Sequence, residues 1–316
     1  MARYIIKRLL LVLLVLWLVA TLTYFMVHVT PGDTAEAILV SIYGEDVVSP
    51  ETLARVNEKF DLNRPIIIQY LEWLKNAVTL NFGVSYKYEM PVTKLLFMRL
   101  PNTLLLGFVA FAISVCIAIP LGIHSALHHN KAPDHATRGF VLFTSSFPTF
   151  WIAIMLIIIF AIKLGWVPVS GMKTPNSIIL PAVTLAIGMI ATTTRMMRSS
   201  MLDVLNQDYM TVARLKGLTN RQIIWGHALR NAILPIITVL GLQIGHILGG
   251  SVVVESVFAW PGVGSLFLDA INSKDLPMIE GCVILITFGY AIANVAVDII
   301  YAFVDPRVKY DTGAKK

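Results

Sequence analysis

Residues 103–127 read TLLLGFVAFAISVCIAIPLGIHSAL, 25 positions without an Asp, Glu, Lys or Arg. A helix needs about 20 predominantly apolar residues to cross a hydrocarbon core of about 30 Å, so this stretch predicts a transmembrane helix. Five more segments pass the same test: Leu9 to Val29, Phe140 to Leu164, Ile178 to Thr194, Ile233 to Val257 and Met278 to Val304. Lipid offers no hydrogen-bond partner to an open sheet edge, so the expected fold is an all-α polytopic membrane protein with six transmembrane helices.

Composition agrees with the spans. The chain of 316 residues is 56% hydrophobic and 14% charged, with a mean hydropathy of +0.73. Soluble domains carry about 25% charged residues, which argues against an ordinary soluble enzyme, a disordered chain or a nucleic-acid-binding protein. The net charge of +6 fits cations gathered in the loops that set membrane orientation. Cys116 and Cys282 both fall in apolar runs and read as small buried hydrophobes.

Arg3, Lys7 and Arg8 precede the first span. Its apolar run exceeds a signal-peptide core and no A-x-A site follows, so it reads as an uncleaved span. With a cytoplasmic N-terminus, 15 Lys and Arg lie on that side and 10 on the other, seven of the latter in one long loop. Long loops translocate with little regard to charge, so both termini are expected in the cytoplasm of a cell whose inner membrane holds the protein. The chain then divides into residues 1–29 (terminus and first span), 30–100 (long extracytoplasmic loop), 101–304 (five-helix core with a cytoplasmic loop at 195–230) and 305–316 (cytoplasmic tail).

Two loops exceed simple connection. The first carries turn signals at Pro31-Gly32, Ser49-Pro50 and Arg64-Pro65, with helix-like stretches from Glu51 to Phe60 and Pro65 to Ala77. Tyr70 and Trp73 suit a membrane interface. This loop is either a small solvated cap or a docking or gating element. In the second, Met201, Val204, Leu205, Val212 and Leu215 recur near helical spacing, Gly217 is placed as a helix C′ residue, and a second helix is expected from Asn220 to Leu229. Such a helical pair suits a soluble partner; a merely topogenic basic loop would need none.

Several blocks stand out along the chain: Ala2-Arg-Tyr-Ile-Ile-Lys-Arg-Leu9, Thr30-Pro-Gly-Asp33, Leu100-Pro-Asn-Thr103, Ile119-Pro-Leu-Gly122, Ser199 to Tyr209, Ala213-Arg-Leu-Lys-Gly217, His227 to Pro235 and, most specifically, Glu255-Ser-Val-Phe-Ala-Trp-Pro-Gly-Val-Gly264. Together they resemble the dipeptide, oligopeptide and nickel branch of ABC-importer permease subunits. The resemblance implies a type I ABC importer permease fold. It also implies a second homologous permease subunit, two ATPase subunits or domains, and an extracytoplasmic solute-binding protein. Thr211-Val-Ala-Arg-Leu-Lys-Gly217 is similar to the family's coupling motif, which makes Asp208, Thr211, Ala213, Arg214, Lys216 and Gly217 the ATPase-coupling candidates. Thr211 departs from the acidic residue often found at its position. Small Ala213 and Gly217 permit close approach to another surface, and Arg214 and Lys216 can pair with acidic groups on it.

No G-x-x-x-x-G-K-[ST] phosphate loop occurs, and Pro261-Gly-Val-Gly264 follows no strand. No cofactor is expected in this chain; ATP and Mg belong to the partner ATPases. Within span five, Gly241, Gly245 and Gly249 form a small-residue face for helix packing, with the second permease subunit as one candidate partner. Gln243, His246 and Glu255 are the translocation-pathway candidates, because polar groups at membrane depth usually face the bundle interior or water. Asn294 and Asp298, one turn apart, suggest a pair in the last span. His124, His128, His129 and His135 read as a solvated interface, and Met196, Met197 and Met201 as packing residues, rather than metal ligands.

Small-peptide import is the expected function, with nickel or a metal chelate as the alternative cargo. An intramembrane enzyme would need a motif such as G-x-S-x-G or H-E-x-x-H, and none occurs. An ATP-independent carrier would leave the 195–230 loop without a purpose.

Overall fold

The computed structural model describes residues 2–29, 35–36, 39, 49–59 and 64–304. The expected turn at Pro31-Gly32, the block at residues 30–33 and the tail at 305–316 lie outside these residues, as does the Asp298 side chain. The helices are α1 (Ala2–Val29), α2 (Pro50–Lys59), α3 (Ile66–Val78), α4 (Val92–Leu127), α5 (Ala132–Ser146), α6 (Thr149–Leu156), α7 (Ile179–Leu205), α8 (Asp208–Leu215), α9 (Leu229–Val257), α10 (Val263–Asn272) and α11 (Leu276–Val304). Five helical stretches are long and apolar enough to cross a membrane, and a sixth crossing follows if the bent pair α5 and α6 counts as one span. The protein is all-α and polytopic.

Three expected boundaries change. The third span is two helices meeting at 102°, because Pro148 follows Phe147 in extended backbone and opens α6. The fourth does not end at Thr194 but runs to Leu205, since Met197, Ser200 and Met201 continue its buried face. The separate helix expected at 220–229 is instead a π-helical stretch, Gln222–Ala228, continuous with α9. The loop expected at 195–230 therefore reduces largely to α8 and its two turns.

The most extensive packing joins α4 to α7. Gly122 makes the close approach possible: a methyl group there would lie 2.6 Å from Met197 Cβ and 2.9 Å from the Thr194 carbonyl oxygen. Pro101 and Pro120 lie within α4 and Pro235 within α9; neighbouring helices make such residues tolerable in a membrane bundle. Apolar side chains form three clusters along the bundle. One around Leu96, Leu266 and Met278 sits at the end bearing residues 66–91. One around Leu106, Ile190 and Trp260 follows, and one around Met201, Met210 and Ile236 sits at the end bearing α8. Outside the bundle, Leu10, Leu13, Leu22 and Phe108 are exposed, as lipid-facing positions should be. Cys282 is buried, whereas Cys116 emerges on the bundle surface rather than in its core.

A polar pin closes the α8 end. Asp134 is fully buried and accepts from Arg198 Nε at 2.6 Å and a terminal guanidinium nitrogen at 2.7 Å, from Ser125 Oγ at 2.6 Å and from the Asn130 N–H at 3.0 Å. The carboxylate thus ties α4, α5 and α7. His129 stands 3.6 Å from it, so at least one of the clustered histidines borders a structural ion pair. Arg198→Ala leaves a buried carboxylate without its bidentate partner and should destabilise the fold by about 3–5 kcal/mol. Thermal unfolding of the purified chain in detergent checks this; an unchanged midpoint contradicts it.

Candidate functional site

Gln243 and His246 come together at one cavity of about 200 Å³, with Thr149 from α6 and Thr184 and Gly188 from α7. Gln243 is buried; its Nε2 donates to the Met189 carbonyl (3.2 Å) and to Thr193 Oγ1 (3.0 Å). Its Oε1 is buried and accepts no hydrogen bond. An orphan amide oxygen in an apolar bundle costs about 1–3 kcal/mol unless something donates to it, so the cavity is suited to a donor-bearing guest. His246 is exposed on the α9 surface and meets the Tyr290 ring edge-on at 5.7 Å. Methyl groups added at Gly188 or Gly250, which also lines the cavity, would meet open space. Thr149, Thr184 and Gly188 escaped the sequence reading because hydroxyls and glycines in a span look like ordinary packing residues.

Glu255, expected on the pathway, does not line this cavity. It is fully buried where α9 turns back through residues 258–262. Its Oε1 accepts from Ser251 Oγ at 2.9 Å and its Oε2 from the Ser265 N–H at 3.0 Å. Ala259 takes a left-handed φ of +48° in this turn. The Trp260 indole donates to the Asn102 carbonyl (3.0 Å), Asn102 Nδ2 donates to the Pro261 carbonyl (2.8 Å), and Thr103 Oγ1 accepts from the Val263 N–H (2.8 Å). Two sequence blocks far apart in the chain, Leu100-Pro-Asn-Thr103 and Glu255 to Gly264, thus form one clamp. Gly262 is required there, since any Cβ would run into the Glu255 carboxylate.

The small-residue face of α9 packs within the chain. Any Cβ at Gly241 would overlap Val297, and one at Gly245 would lie 3.1 Å from the Tyr290 ring. Gly249 makes no close approach, its Cβ position being 4.0 Å from Ile286. The expectation that this face meets another subunit gives way to packing of Gly241 and Gly245 on α11. The 4-residue repeat could not name its partner.

The coupling candidates occupy α8. Met210 and Ala213 are buried and anchor the helix to Met197, Met201 and Ile223. Asp208, Thr211, Arg214, Lys216 and Gly217 are exposed, as are Val212 and Leu215. Asn231 Nδ2 donates to Tyr209 Oη at 3.0 Å, tying α8 to α9. Gly217 follows the helix with φ +77°, and a side chain there would find open space; the requirement for glycine is conformational.

A residue missed in the sequence is Asp275, fully buried ahead of α11. It accepts from Ser85 Oγ and from the N–H groups of Tyr86 (3.2 Å), Lys87 (3.3 Å) and Met278 (3.4 Å). The expected interface aromatics are also docked: Tyr70 Oη lies 2.7 Å from Thr21 Oγ1, and the Tyr24 ring meets Tyr70 edge-on at 5.4 Å and Trp73 at a tilt at 5.1 Å. The helical part of the long loop is therefore packed on α1.

A membrane-spanning α-bundle with a cavity that Gln243 and His246 line, and a short helix packed at one end, is consistent with a transport permease. Residues 118–310 match the family described as binding-protein-dependent transport system inner membrane component, and residues 1–107 match its N-terminal region family. The oligopeptide transport system permease protein AppB of Bacillus subtilis is 39% identical over 98% of this chain and 100% of its own length. A putative peptide transport system permease protein of Brucella abortus is 38% identical, with the same shares covered. The glutathione transport system permease protein GsiC of Escherichia coli K12 is 35% identical, again over 98% and 100%. Among solved structures, the inward-facing MetNI methionine ABC transporter matches with a TM-score of 0.57 at 20% identity, over 67% of this chain and 96% of that one. The chain belongs to the ABC-importer permease family, in its peptide and oligopeptide branch.

Thr103→Val keeps the shape but leaves the Val263 N–H unpaired in a buried clamp, and should cost about 1–3 kcal/mol. The loss should appear as a lowered unfolding midpoint and as faster proteolysis within residues 258–265. Wild-type values for both would remove Thr103 from the clamp.

Proposed function

We propose that this permease moves small peptides inward, driven by ATP hydrolysed on two partner ATPase subunits or domains. A second homologous permease completes the pathway, a solute-binding protein delivers cargo at the extracytoplasmic face, and both termini lie in the cytoplasm. The single observation that carries the reading is α8. It is a short helix anchored by Met210 and Ala213 while Val212, Arg214, Leu215 and Lys216 face away from the bundle. An apolar and basic face outside a bundle is suited to an acidic-rimmed cleft on a soluble subunit. The names of the peptide and glutathione permease relatives support the cargo class.

Mechanically, α8 leads into the π-helical stretch 222–228 and α9, which carries Gln243 and His246. A shift of α8 on closure of the ATPases is passed along this continuous helix to the cavity, alternating its access. Gln243 Oε1 accepts from a peptide N–H, and His246 lines the wall. Glu255 acts by holding the outer turn in place rather than by touching cargo.

Co-purification tests the assembly: stoichiometric ATPase and second permease subunits are expected, and a functional chain purified alone overturns it. Gly217→Glu should leave the chain inserted yet uncouple ATP hydrolysis from transport, because a left-handed residue is replaced by a strained, anionic one. Normal transport at normal assembly would remove α8 from coupling. His246→Gln should retain substantial peptide uptake, since an amide still donates and accepts, whereas His246→Leu should lose most of it. Selective loss of nickel uptake in the Gln variant would shift the cargo to a metal ion, for which imidazole is the better ligand.

A further inference from the structure

Two adjoining cavities lie between α1, α3 and α11, away from the Gln243 site. The first, about 250 Å³, is polar, and Glu280 of α11 forms part of its wall. Glu280 is 4% exposed, and among the described residues its Oε1 accepts no hydrogen bond. The indole N–H of Trp73 faces the carboxylate as its nearest buried donor, without reaching ordinary hydrogen-bond geometry. His28 Nδ1 stands 3.8 Å from the carboxylate but 2.9 Å from the Tyr24 carbonyl, its nearer partner. Tyr24, Trp73 and Tyr86 supply aromatic walls, and Arg64, paired with Glu72 at 3.1 Å, lines the rim. Burial and the Glu280 carboxylate push the Tyr86 phenol above its usual range, so it stays neutral.

The second cavity, about 490 Å³, is apolar and shares Phe82 with the first. α1 and α11 pass from polar to apolar between the two cavities. On α1, His28 and Tyr24 give way to Ala20, Trp17 and Leu13; on α11, Glu280 gives way to Ile284, Leu285 and Phe288; α3 borders both, with Trp73 and Asn76 on the polar cavity and Leu74, Ala77 and Val78 on the apolar one. From His28 to Leu13 the α1 axis spans about 22 Å at 1.5 Å per residue. That accommodates a headgroup above one leaflet of hydrocarbon, about 15 Å deep.

We propose that this paired cavity is a binding site for a phospholipid with a primary ammonium headgroup. The ammonium donates to Glu280 Oε1 between the aromatic faces, the phosphate lies toward Arg64 at the rim, and an acyl chain fills the apolar groove. The buried acceptor selects the headgroup: an anionic headgroup is repelled by the carboxylate, and a quaternary ammonium can face the aromatic rings but has no N–H to give Glu280. The inference rests on these two cavities and is independent of the transported cargo.

The test uses the permease in its purified complex, stripped of lipid in detergent and followed by native mass spectrometry. Phosphatidylethanolamine, its N-acetylated form, phosphatidylcholine, phosphatidylglycerol and dialanine are added in turn. Phosphatidylethanolamine should be retained at least about tenfold over the other lipids, a preference of the size one buried charge-assisted hydrogen bond supplies. Glu280→Gln should collapse that preference. Ala77→Trp, which fills the groove without touching the carboxylate, should weaken retention of every lipid. Equal retention of all four lipids by the wild-type chain overturns the proposal without requiring any variant. Displacement of phosphatidylethanolamine by dialanine, with the same dependence on Glu280, overturns it in favour of a peptide ammonium.

Discussion

A carboxylate without water must be satisfied by its surroundings, and the arrangement of this bundle follows from how it buries them. Glu255 at one end and Asp134 at the other are both fully buried, and each is held by donors from more than one segment. Removing one partner of such a group is far costlier than the net gain of forming the set, so each network acts as a register lock more than a source of stability. Glu255 fixes the turn between α9 and α10 against the Asn102-Thr103 step of α4. Asp134 fixes α5 against α4 and α7. Between the two locks, α4, α7 and α9 pack through small residues such as Gly107 and Gly122, with neutral hydrogen bonds from Gln243 and Ser200 joining α7 to α9.

This division leaves α1, α3 and α11 as a second group. Asp275 holds the 85–88 turn against the start of α11, and Tyr70 ties α3 to α1. Contact with the first group comes mainly through α11, packed by Gly241 and Gly245 of α9. Smooth packing of this kind resists translation less than a buried ion pair does. The Gln243 cavity lies inside the first group, bounded by α6, α7 and α9, while the Glu280 cavity lies inside the second.

The spans at residues 9–29, 103–127, 233–257 and 278–304 were legible because uninterrupted apolar runs admit one backbone solution in lipid. What hydropathy could not show is where a helix continues past the hydrocarbon. α7 passes through Arg195 and Arg198 because Met197 and Met201 keep its inner face apolar and Arg198 finds Asp134. Gln243 and His246 were recognisable as polar residues in an apolar run. Glu255 carried the same signal, yet its neighbours at Ser251 and Ser265 turn it into a structural group. One sequence cannot separate a buried polar residue that awaits a guest from one already satisfied, because the difference lies in partners supplied by other helices. Asp275, just ahead of α11, and Glu280 in its first turns show the two cases: the first accepts four hydrogen bonds from the 85–87 turn and Met278, and among the described residues one oxygen of the second accepts none.

The helical stretch from Gln222 to Val257 is 36 residues long, or about 54 Å at 1.5 Å per residue. A hydrocarbon core of about 30 Å cannot contain it, even at a tilt of about 20°. The excess must leave the membrane. The Glu255 clamp fixes the C-terminal end, so the surplus emerges at the α8 end, where Trp225 is exposed and Asn231 meets Tyr209 of α8. The π-helical stretch falls in this surplus, where an extra residue per turn alters the helix face without unpairing backbone in lipid. Length alone therefore carries the start of this rod past the hydrocarbon, and α8, joined to it by the turn at 216–219 and held to it by Asn231, packs on the bundle at that end.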